Sequence, residues 1–271
     1  MNVYIWTSGV LKNAYIWEYI PPYLCFTANT AGSTIKLNKT GSPTAVTIET
    51  STDWNNWSSY TIWNTITLSN IWDKVFFRNS STSNTTFSIS NSNYYKFKMT
   101  GSISASGDAG YLINKNSTTT VWNYWLCFLF FECTSLTTAP KLPATSLWDY
   151  GYFCMFAWCT NLKTAPSLPS ITATQYCYYQ MFHHCENLEQ LPQLPSTTLA
   201  NFCYQQMFQY CSKIKLSTSQ TWEYQTAYRI PTSWTGSTGT SSLLHMFQYT
   251  WWTYTSDPSV NTTYYTSNTV V

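Results

Sequence analysis

The side chains best suited to catalysis or metal binding are three histidines and nine cysteines, and the two types are adjacent at His183-His184-Cys185. A nucleophilic thiol needs a histidine beside it and a third group that orients the histidine, whereas these residues are adjacent only in sequence. Structural zinc needs four ligands in paired spacings such as Cys-x-x-Cys, a motif that the sequence lacks. The 11 carboxylates are scattered and no glycine-rich phosphate loop occurs. We therefore expect no enzyme, no metal and no cofactor, unless folding gathers two of His183, Glu186 and Asp149 in one pocket.

The charge balance and the apolar runs argue against two classes of partner. Thirteen basic and 11 acidic residues give a net charge of +2, without the basic footprint of a nucleic-acid-binding protein. The most apolar run, Trp125–Phe131, is far shorter than the roughly 20 residues that span a bilayer.

The segment Met1–Ile5 lacks the basic and apolar regions of a secretory signal peptide. Either a leader was removed, or the chain reaches the outside by another route, such as on a virus particle.

Self-comparison of the sequence reveals a repeat with a period of 26 residues. Its anchors are Leu129-Phe130-Phe131-Glu132-Cys133, Met155-Phe156-Ala157-Trp158-Cys159, Met181-Phe182-His183-His184-Cys185 and Met207-Phe208-Gln209-Tyr210-Cys211. Apolar residues follow each anchor in the same order: first Leu136, Leu162, Leu188 and Ile214, then Ala139-Pro140, Ala165-Pro166 and Leu191-Pro192, then Leu142-Pro143, Leu168-Pro169 and Leu194-Pro195. One unit cannot bury its apolar side alone, so neighbouring units must stack and share a core.

The repeat predicts a local structure for each unit. The stretch Leu136–Pro143 and its equivalents form a short extended segment, in which proline favours irregular strands. The stretch around Gln175–Phe182 and its equivalents form a helical or 3₁₀ return. The repeated Met, Phe, Cys and Leu residues are interpreted as core. Equivalent sulfurs in the ladders Cys133/Cys159/Cys185/Cys211 and Cys177/Cys203 come within disulfide range, but side chains of one ladder point the same way, so reduced buried thiols are favoured.

Patterning outside the repeat divides the chain further. Val3–Trp6 is duplicated at Ala14–Trp17, which suggests two strands of a hairpin, and runs such as Thr44–Thr50 alternate apolar and polar residues as half-buried strands do. The predicted fold is β-rich and multi-domain: an N-terminal hairpin or attachment segment at 1–22, a small antiparallel, immunoglobulin-like β-sandwich at 23–113, and a repeat solenoid at 114–271 with an inserted loop at about 217–245 and a C-terminal cap.

The repeat unit also has a family resemblance. Residues 155–169 read Met-Phe-Ala-Trp-Cys-Thr-Asn-Leu-Lys-Thr-Ala-Pro-Ser-Leu-Pro. They resemble the BspA-like leucine-rich repeats of bacterial surface proteins, whose signature is Ala-Phe-x-x-Cys-x-x-Leu-x-x-Ile-x-Leu-Pro. The resemblance covers 127–216 and extends to Met246–Tyr265 as the closing segment of the array. It implies a solenoid with a role in adhesion or receptor binding, on a cell envelope or in a phage-encoded protein.

Recognition is the expected function, through positions that repeat laterally along the solenoid. The candidate binding residues are Tyr178, Tyr179, Tyr204 and Gln205 in the returns, and Lys141, Ser167 and Gln193 in the extended segments; tyrosine offers contact area at low entropic cost. We expect a non-enzymatic adhesin, or a receptor-binding component of a phage appendage, that binds a cell-surface protein or glycan. Its expected location is extracellular, on a cell surface or on a virion. The alternative is a structural spacer that residues 1–22 join to virion scaffold proteins.

Tryptophan is unusually frequent and glycine unusually rare, with 14 Trp against 9 Gly. Several tryptophans occupy turns or consensus glycine positions: Trp54, Trp72, Trp158, Trp251 and Trp252. Trp6 and Trp17, in the duplicated N-terminal runs, are further candidates for glycine. Our hypothesis is that most tryptophan codons are UGA, which some bacteria and phages read as glycine, and that Trp57 is a true tryptophan. The alternative is a tryptophan-rich binding surface.

Overall fold

The computed structural model describes residues 21–231, 238–250 and 257–271, together with two backbone strands within the first 20 residues. The prediction of a β-rich chain is confirmed: the described residues form several small sheets, none of them closed, and almost no helix. In chain order the strands are β1 (Asn2–Thr7), β2 (Val10–Tyr15), β3 (Leu24–Ala28), β4 (Ser33–Thr40), β5 (Ile48–Ser51), β6 (Ser58–Tyr60), β7 (Ile66–Leu68), β8 (Lys74–Asn79), β9 (Tyr94–Thr100), β10 (Ile103–Ser106), β11 (Thr120–Val121), β12 (Leu136–Thr138), β13 (Ser146–Leu147), β14 (Thr172–Ala173), β15 (Gln190–Leu191), β16 (Thr198–Leu199), β17 (Leu216–Ser217), β18 (Thr226–Ile230), β19 (Thr262–Thr266) and β20 (Thr269–Val270). A 3₁₀ turn spans Ala109–Leu112.

Two sheets dominate the first half of the chain. One has six strands in the order β12-β10-β3-β8-β5-β6, and the other has three in the order β7-β4-β9. Alternation of apolar and polar residues puts Ile35 and Leu37 of β4 in the core, as a strand with one buried face requires. The two sheets meet through aromatic rings, because Phe97 of β9 lies 4.8 Å from Phe26 of β3 and 5.2 Å from Phe77 of β8.

The N-terminal segment contains two strands, of which the first includes the run Val3–Trp6 and the second overlaps the duplicated run Ala14–Trp17 only at Ala14 and Tyr15. Strand β1 pairs antiparallel with β2, with Asn2 opposite Tyr15 and Thr7 opposite Val10. The second strand ends two residues before Trp17, which lies outside the described residues. An attachment role for this segment stays a prediction.

Successive repeat units lie side by side, and their backbones are joined in an alternating pattern. We call 124–133, 150–159, 176–185, 202–211 and 241–250 the return segments. In the second of them, Tyr152 and Cys154 donate their N–H groups to carbonyls of the third, at Cys177 and Tyr179. The alternate residues, such as Phe153 and Met155, donate their N–H groups to the carbonyl three positions earlier in their own segment. The return segments are therefore chains of turns, and the prediction of helical or 3₁₀ returns is wrong.

Strand β9 occupies the place that a preceding unit would take at the start of the repeats. The Phe97 N–H donates to the Leu129 carbonyl at 2.8 Å, and its ring stacks on that of Phe130 at 5.5 Å. The Cys133 thiol donates to the Phe97 carbonyl, just as the Cys159 thiol donates to the carbonyl of Phe130. One continuous apolar core consequently runs from the sheets into the repeats, and the predicted domain boundary at 113/114 stays a prediction.

The end of the repeats departs from the predicted loop and cap. Residues 241–250 form the next return segment, since the Phe208 N–H donates to the Met246 carbonyl and the rings of Phe208 and Phe247 stack at 5.2 Å. Part of the predicted loop at 217–245 is strand β18, which pairs with β19 and brings Tyr228 against the Phe247 ring. Trp251 and Trp252 lie outside the described residues.

Within the ranges that the structure describes, no helix has both the length and the apolar character needed to cross a bilayer.

Candidate recognition surface

The side chains of each return segment follow a four-residue cycle. In the third segment Cys177, Tyr178, Met181 and Phe182 are buried, whereas the pairs that follow them, 179–180 and 183–184, are partly exposed. The backbone is left-handed at 176, 180 and 184, with φ of 55°, 51° and 58°. A left-handed residue at every fourth position turns the chain each time, so side-chain direction repeats every four residues instead of every 3.6 or every two.

The inward positions form ladders of identical side chains. Phe130, Phe156, Phe182, Phe208 and Phe247 stack with ring centroids 5.2, 5.6, 5.5 and 5.2 Å apart. Offset stacking of buried rings adds stabilisation beyond the burial of their area. Because each ring contacts the equivalent ring of the next unit, the ladder fixes the register of the stack.

The sulfur ladder consists of reduced thiols that donate hydrogen bonds across the stack. All nine cysteines are free and buried. The thiols of Cys159, Cys185 and Cys211 lie 3.0, 3.1 and 3.0 Å from the carbonyl oxygens of Phe130, Phe156 and Phe182. Burial raises the pKa of Cys133 to about 12 and raises the pKa of Cys185 well above its ordinary value. Thiols held in the neutral form are poor nucleophiles and poor metal ligands, so this ladder serves packing.

Two predicted binding residues of the returns are wrong, because their side chains point inward. Tyr178 and Tyr204 are 1% and 0% exposed and stack on each other at 5.3 Å. Both follow a buried cysteine in the four-residue cycle, a phase that a helical return does not predict. Their neighbours Tyr179 and Gln205 are partly exposed, so these two remain available for contact.

The predicted residues of the extended segments are exposed at the surface. Lys141, Ser167 and Gln193 are all solvent-exposed. The Lys141 N–H donates to the Gly107 carbonyl and the Gln193 N–H to that of Val271, so neighbouring chain segments flank this side of the stack. Binding through these three residues stays a prediction.

The outward positions of the returns form aromatic rows that the sequence reasoning missed. The outer tyrosine row consists of Tyr124, Tyr150, Tyr176 and Phe202, with centroids 4.5, 4.7 and 4.7 Å apart. The outer histidine row consists of Trp158, His184, Tyr210 and Tyr249, with centroids 3.7, 4.2 and 4.6 Å apart. Phe153 and Tyr179 stack between the two rows at 5.0 Å. The recurrence of aromatic side chains at the 26-residue period, at 124, 150, 176 and 202 and again at 158, 184 and 210, is the signal that identifies these rows in the sequence.

Amide side chains hold the outward rings from one unit to the next. The Tyr179 hydroxyl donates to Oε1 of Gln206 at 3.0 Å, and Nε2 of Gln180 donates to the same oxygen at 2.9 Å. The Nε2 atom of His183 lies 3.1 Å from Oε1 of Gln209. Side chains that are stacked and hydrogen-bonded in this way have little rotamer freedom left to lose on binding.

Two titratable rings of this surface, His183 and Tyr150, have pKa values that keep them neutral at pH 7. Burial, with the neighbouring His184 ring, lowers the pKa of His183 to about 4. Partial burial, followed by the effects of Tyr124 and Tyr176, raises the pKa of Tyr150 to about 12. Both groups are therefore neutral near pH 7, and contacts here depend on rings, amides and hydroxyls.

The potential catalytic residues of the sequence do not converge on the pocket beside the returns. That pocket, of about 410 Å³, is lined by Asp149 but by neither His183 nor Glu186. Glu186 instead lies 3.7 Å from the His184 ring. Within the described residues, no group of three or more His, Cys, Asp or Glu side chains is placed to hold a metal ion.

Comparison of the chain with protein-family models, with curated proteins and with solved structures finds no match in any of the three.

Proposed function

We propose that this chain is a non-enzymatic recognition protein that binds a partner through the outward side chains of its return segments. The repeats are the stacked coils of a short leucine-rich-repeat-like solenoid, and the two N-terminal sheets are a small β-sandwich that closes one end of it. The protein acts outside a cell, on a cell surface or on a virion, as an adhesin or as the receptor-binding part of a phage appendage.

The observation that carries this proposal is the lateral repetition of outward aromatic side chains. The outer tyrosine row extends over four units, and each ring is partly exposed. Solenoids present repeated positions of this kind as extended binding surfaces. Rings that are already stacked offer contact area at a low cost in conformational entropy.

Packing alone does not account for the outward rows. The phenylalanine ladder already fixes the register of the units from within. A protein that served only as a spacer would be expected to present short polar residues at the outward positions, since they interact well with water. Tyr150, Tyr176 and Tyr210 expose ring surface instead, which favours contact with a partner.

The test compares two faces of the same stack. Fluorescently labelled full-length protein would be titrated onto bacterial cells, with Tyr176→Ser/Tyr179→Ser as the return-face variant and Lys141→Ser/Gln193→Ser as the matched extended-face variant. We expect the return-face variant to bind at least tenfold more weakly, and the extended-face variant to bind as the parent does, with circular dichroism showing that both variants are folded under the assay conditions.

If only the extended-face variant lost binding, the contact surface would be the extended segments, which the sequence also predicted. Failure of the unaltered protein to bind any of a broad panel of cells would overturn the recognition role. The spacer alternative would then gain support, with strands β1 and β2 as its attachment to a scaffold.

A further inference from the structure

We infer that the pocket beside the outer tyrosine row binds a neutral saccharide, an inference that rests on the recognition role proposed above. The pocket has a volume of about 410 Å³, within the usual range of small-ligand sites. Its polar lining consists of Asp149, Thr172, Thr174, Gln175 and Thr198. Neither outer row supplies these residues, so the site adds a specific polar contact to the aromatic surface.

Two short strands set the spacing of hydroxyl groups on one wall. Strands β14 and β16 pair in parallel, with Thr172 opposite Thr198. Both threonines are exposed, while the residues that follow them, Ala173 and Leu199, are buried. Neighbouring strands lie about 4.8 Å apart, so the wall presents a pair of hydroxyl groups at that separation. Each hydroxyl both donates and accepts, as the hydroxyls of a sugar do.

Asp149 gives the pocket a fixed carboxylate. Its Oδ1 atom accepts the Gln175 N–H at 3.0 Å, which holds the side chain in place. No cation lies within ion-pair distance of it among the described residues, and Oδ2 makes no hydrogen bond to them. A carboxylate with a free oxygen accepts hydrogen bonds from adjacent sugar hydroxyls, and the Gln175 amide beside it both donates and accepts.

The rest of the lining favours a neutral sugar over other ligands. Ala173, Leu199 and Ala200 complete it; Ala200 is partly exposed and offers a small apolar surface to the C–H groups of a pyranose, while Ala173 and Leu199 are buried behind the polar groups. No lysine, arginine or histidine lines the pocket, so nothing there would neutralise a carboxylate or sulfate on the sugar. The lining also contains no tryptophan, so the site is the same whether the codon of the nearby Trp148 encodes tryptophan or glycine.

The probe is an array of neutral and acidic oligosaccharides, applied to the full-length protein, followed by titration of the best-binding sugar. The variant is Asp149→Asn, and its matched control is Glu186→Gln, the same chemical change directly after a return segment and outside the pocket. A hydrogen bond to a charged group contributes about 1.5–3 kcal/mol. We therefore expect Asp149→Asn to bind about 10-fold to 100-fold more weakly, with the control unchanged and the affinity insensitive to added salt.

Three outcomes separate this inference from the proposed function. If the protein binds cells but no sugar, or if Asp149→Asn binds the sugar as tightly as Glu186→Gln does, the pocket assignment is overturned and the recognition role stands. If binding at Asp149 is abolished by salt and is competed by lysine-rich peptides, the pocket recognises a basic protein segment and not a sugar. If neither cells nor sugars are bound, both proposals fail.

Discussion

Left-handed backbone positions occur in both halves of this chain, but different residue types occupy them in the two halves. Between residues 23 and 113 the left-handed positions are occupied by Gly32, Gly41, Gly101 and Gly107 and by Trp54, Trp63 and Trp72. In the five return segments there are three left-handed residues each, and none of them is glycine. They are tyrosine, phenylalanine, glutamine, histidine, cysteine, serine, glutamate and one tryptophan.

The two regions differ in the interactions that compensate for the strain of a left-handed residue. A left-handed residue with a Cβ costs roughly 1–2 kcal/mol. In the returns, His184 donates its N–H to the next segment at 2.9 Å, and its ring stacks on Trp158 and Tyr210 at 3.7 and 4.2 Å. In the sheets, Trp72 is 73% exposed and Trp63 is 51% exposed, and neither ring stacks on another among the described residues.

The φ angle and the ring contacts of each tryptophan bear on the hypothesis that UGA codons encode glycine. At 63 and 72 the backbone is left-handed and the indole rings are largely exposed, so these are the positions at which the hypothesis expects glycine most strongly. Trp57 stays assigned as a true tryptophan, and that assignment is consistent with its contacts: its ring lies 3.9 Å from the Arg78 guanidinium and packs against Tyr23. At Trp158 the left-handed backbone does not discriminate between tryptophan and glycine, since His184 occupies the equivalent position in the next unit with a similar φ.

The largest effect should come from breaking the inner ladder that supports the left-handed returns. Phe182→Ala removes two ring stacks, at 5.6 and 5.5 Å, and leaves a cavity in the core. We expect a loss of about 3–5 kcal/mol in the free energy of unfolding, measured by urea denaturation. Tyr179→Ala, three residues away on the outward face, is the control and should cost less than half as much. Equal losses would show that the two faces of the return contribute alike.

Trp57→Gly should give the next largest effect, and it tests the one tryptophan assigned as genuine. The substitution removes the cation–π contact with Arg78 and the edge-to-face contact with Tyr23. We expect destabilisation by about 2 kcal/mol in the same assay. An unchanged or raised stability would place Trp57 with the other tryptophans.

Trp72→Gly should have the opposite sign. Glycine takes φ of 75° without strain, and the indole that is lost is largely exposed. We expect stabilisation by about 1 kcal/mol, whereas Tyr176→Gly, also at a left-handed residue, should destabilise because it breaks two stacks of the outer tyrosine row. Mass spectrometry of the protein from its natural source reads position 72 directly, and tryptophan there would end the recoding hypothesis.

The sequence predicted the β-rich character, the 26-residue period and the reduced cysteine ladder, because each depends on apolar residues that recur at fixed spacing. It did not predict the phase of the returns. Tyr178 and Tyr179 are adjacent and identical in type, and only the left-handed residue at 176 decides which of them faces inward. A positive φ can be recognised in a sequence when glycine occupies the position. Here hydrogen bonds between neighbouring units support the positive φ of other residue types, so the sequence gives no such sign. The pocket at Asp149 was missed for a related reason, since its lining comes from three successive units.

The smallest expected effect concerns pH and isolates the outward face of the returns. The pKa of His183 in the folded protein is about 4, below its ordinary value of 6.5, because burial disfavours the charged ring. Between these values the unfolded chain binds more protons than the folded chain, so folding stability is complete above pH 6.5 and falls as pH is lowered towards 4. Because the side chain is partly exposed, we expect a modest slope. His183→Gln should flatten it, and a slope that survives in that variant would assign the titration to another group.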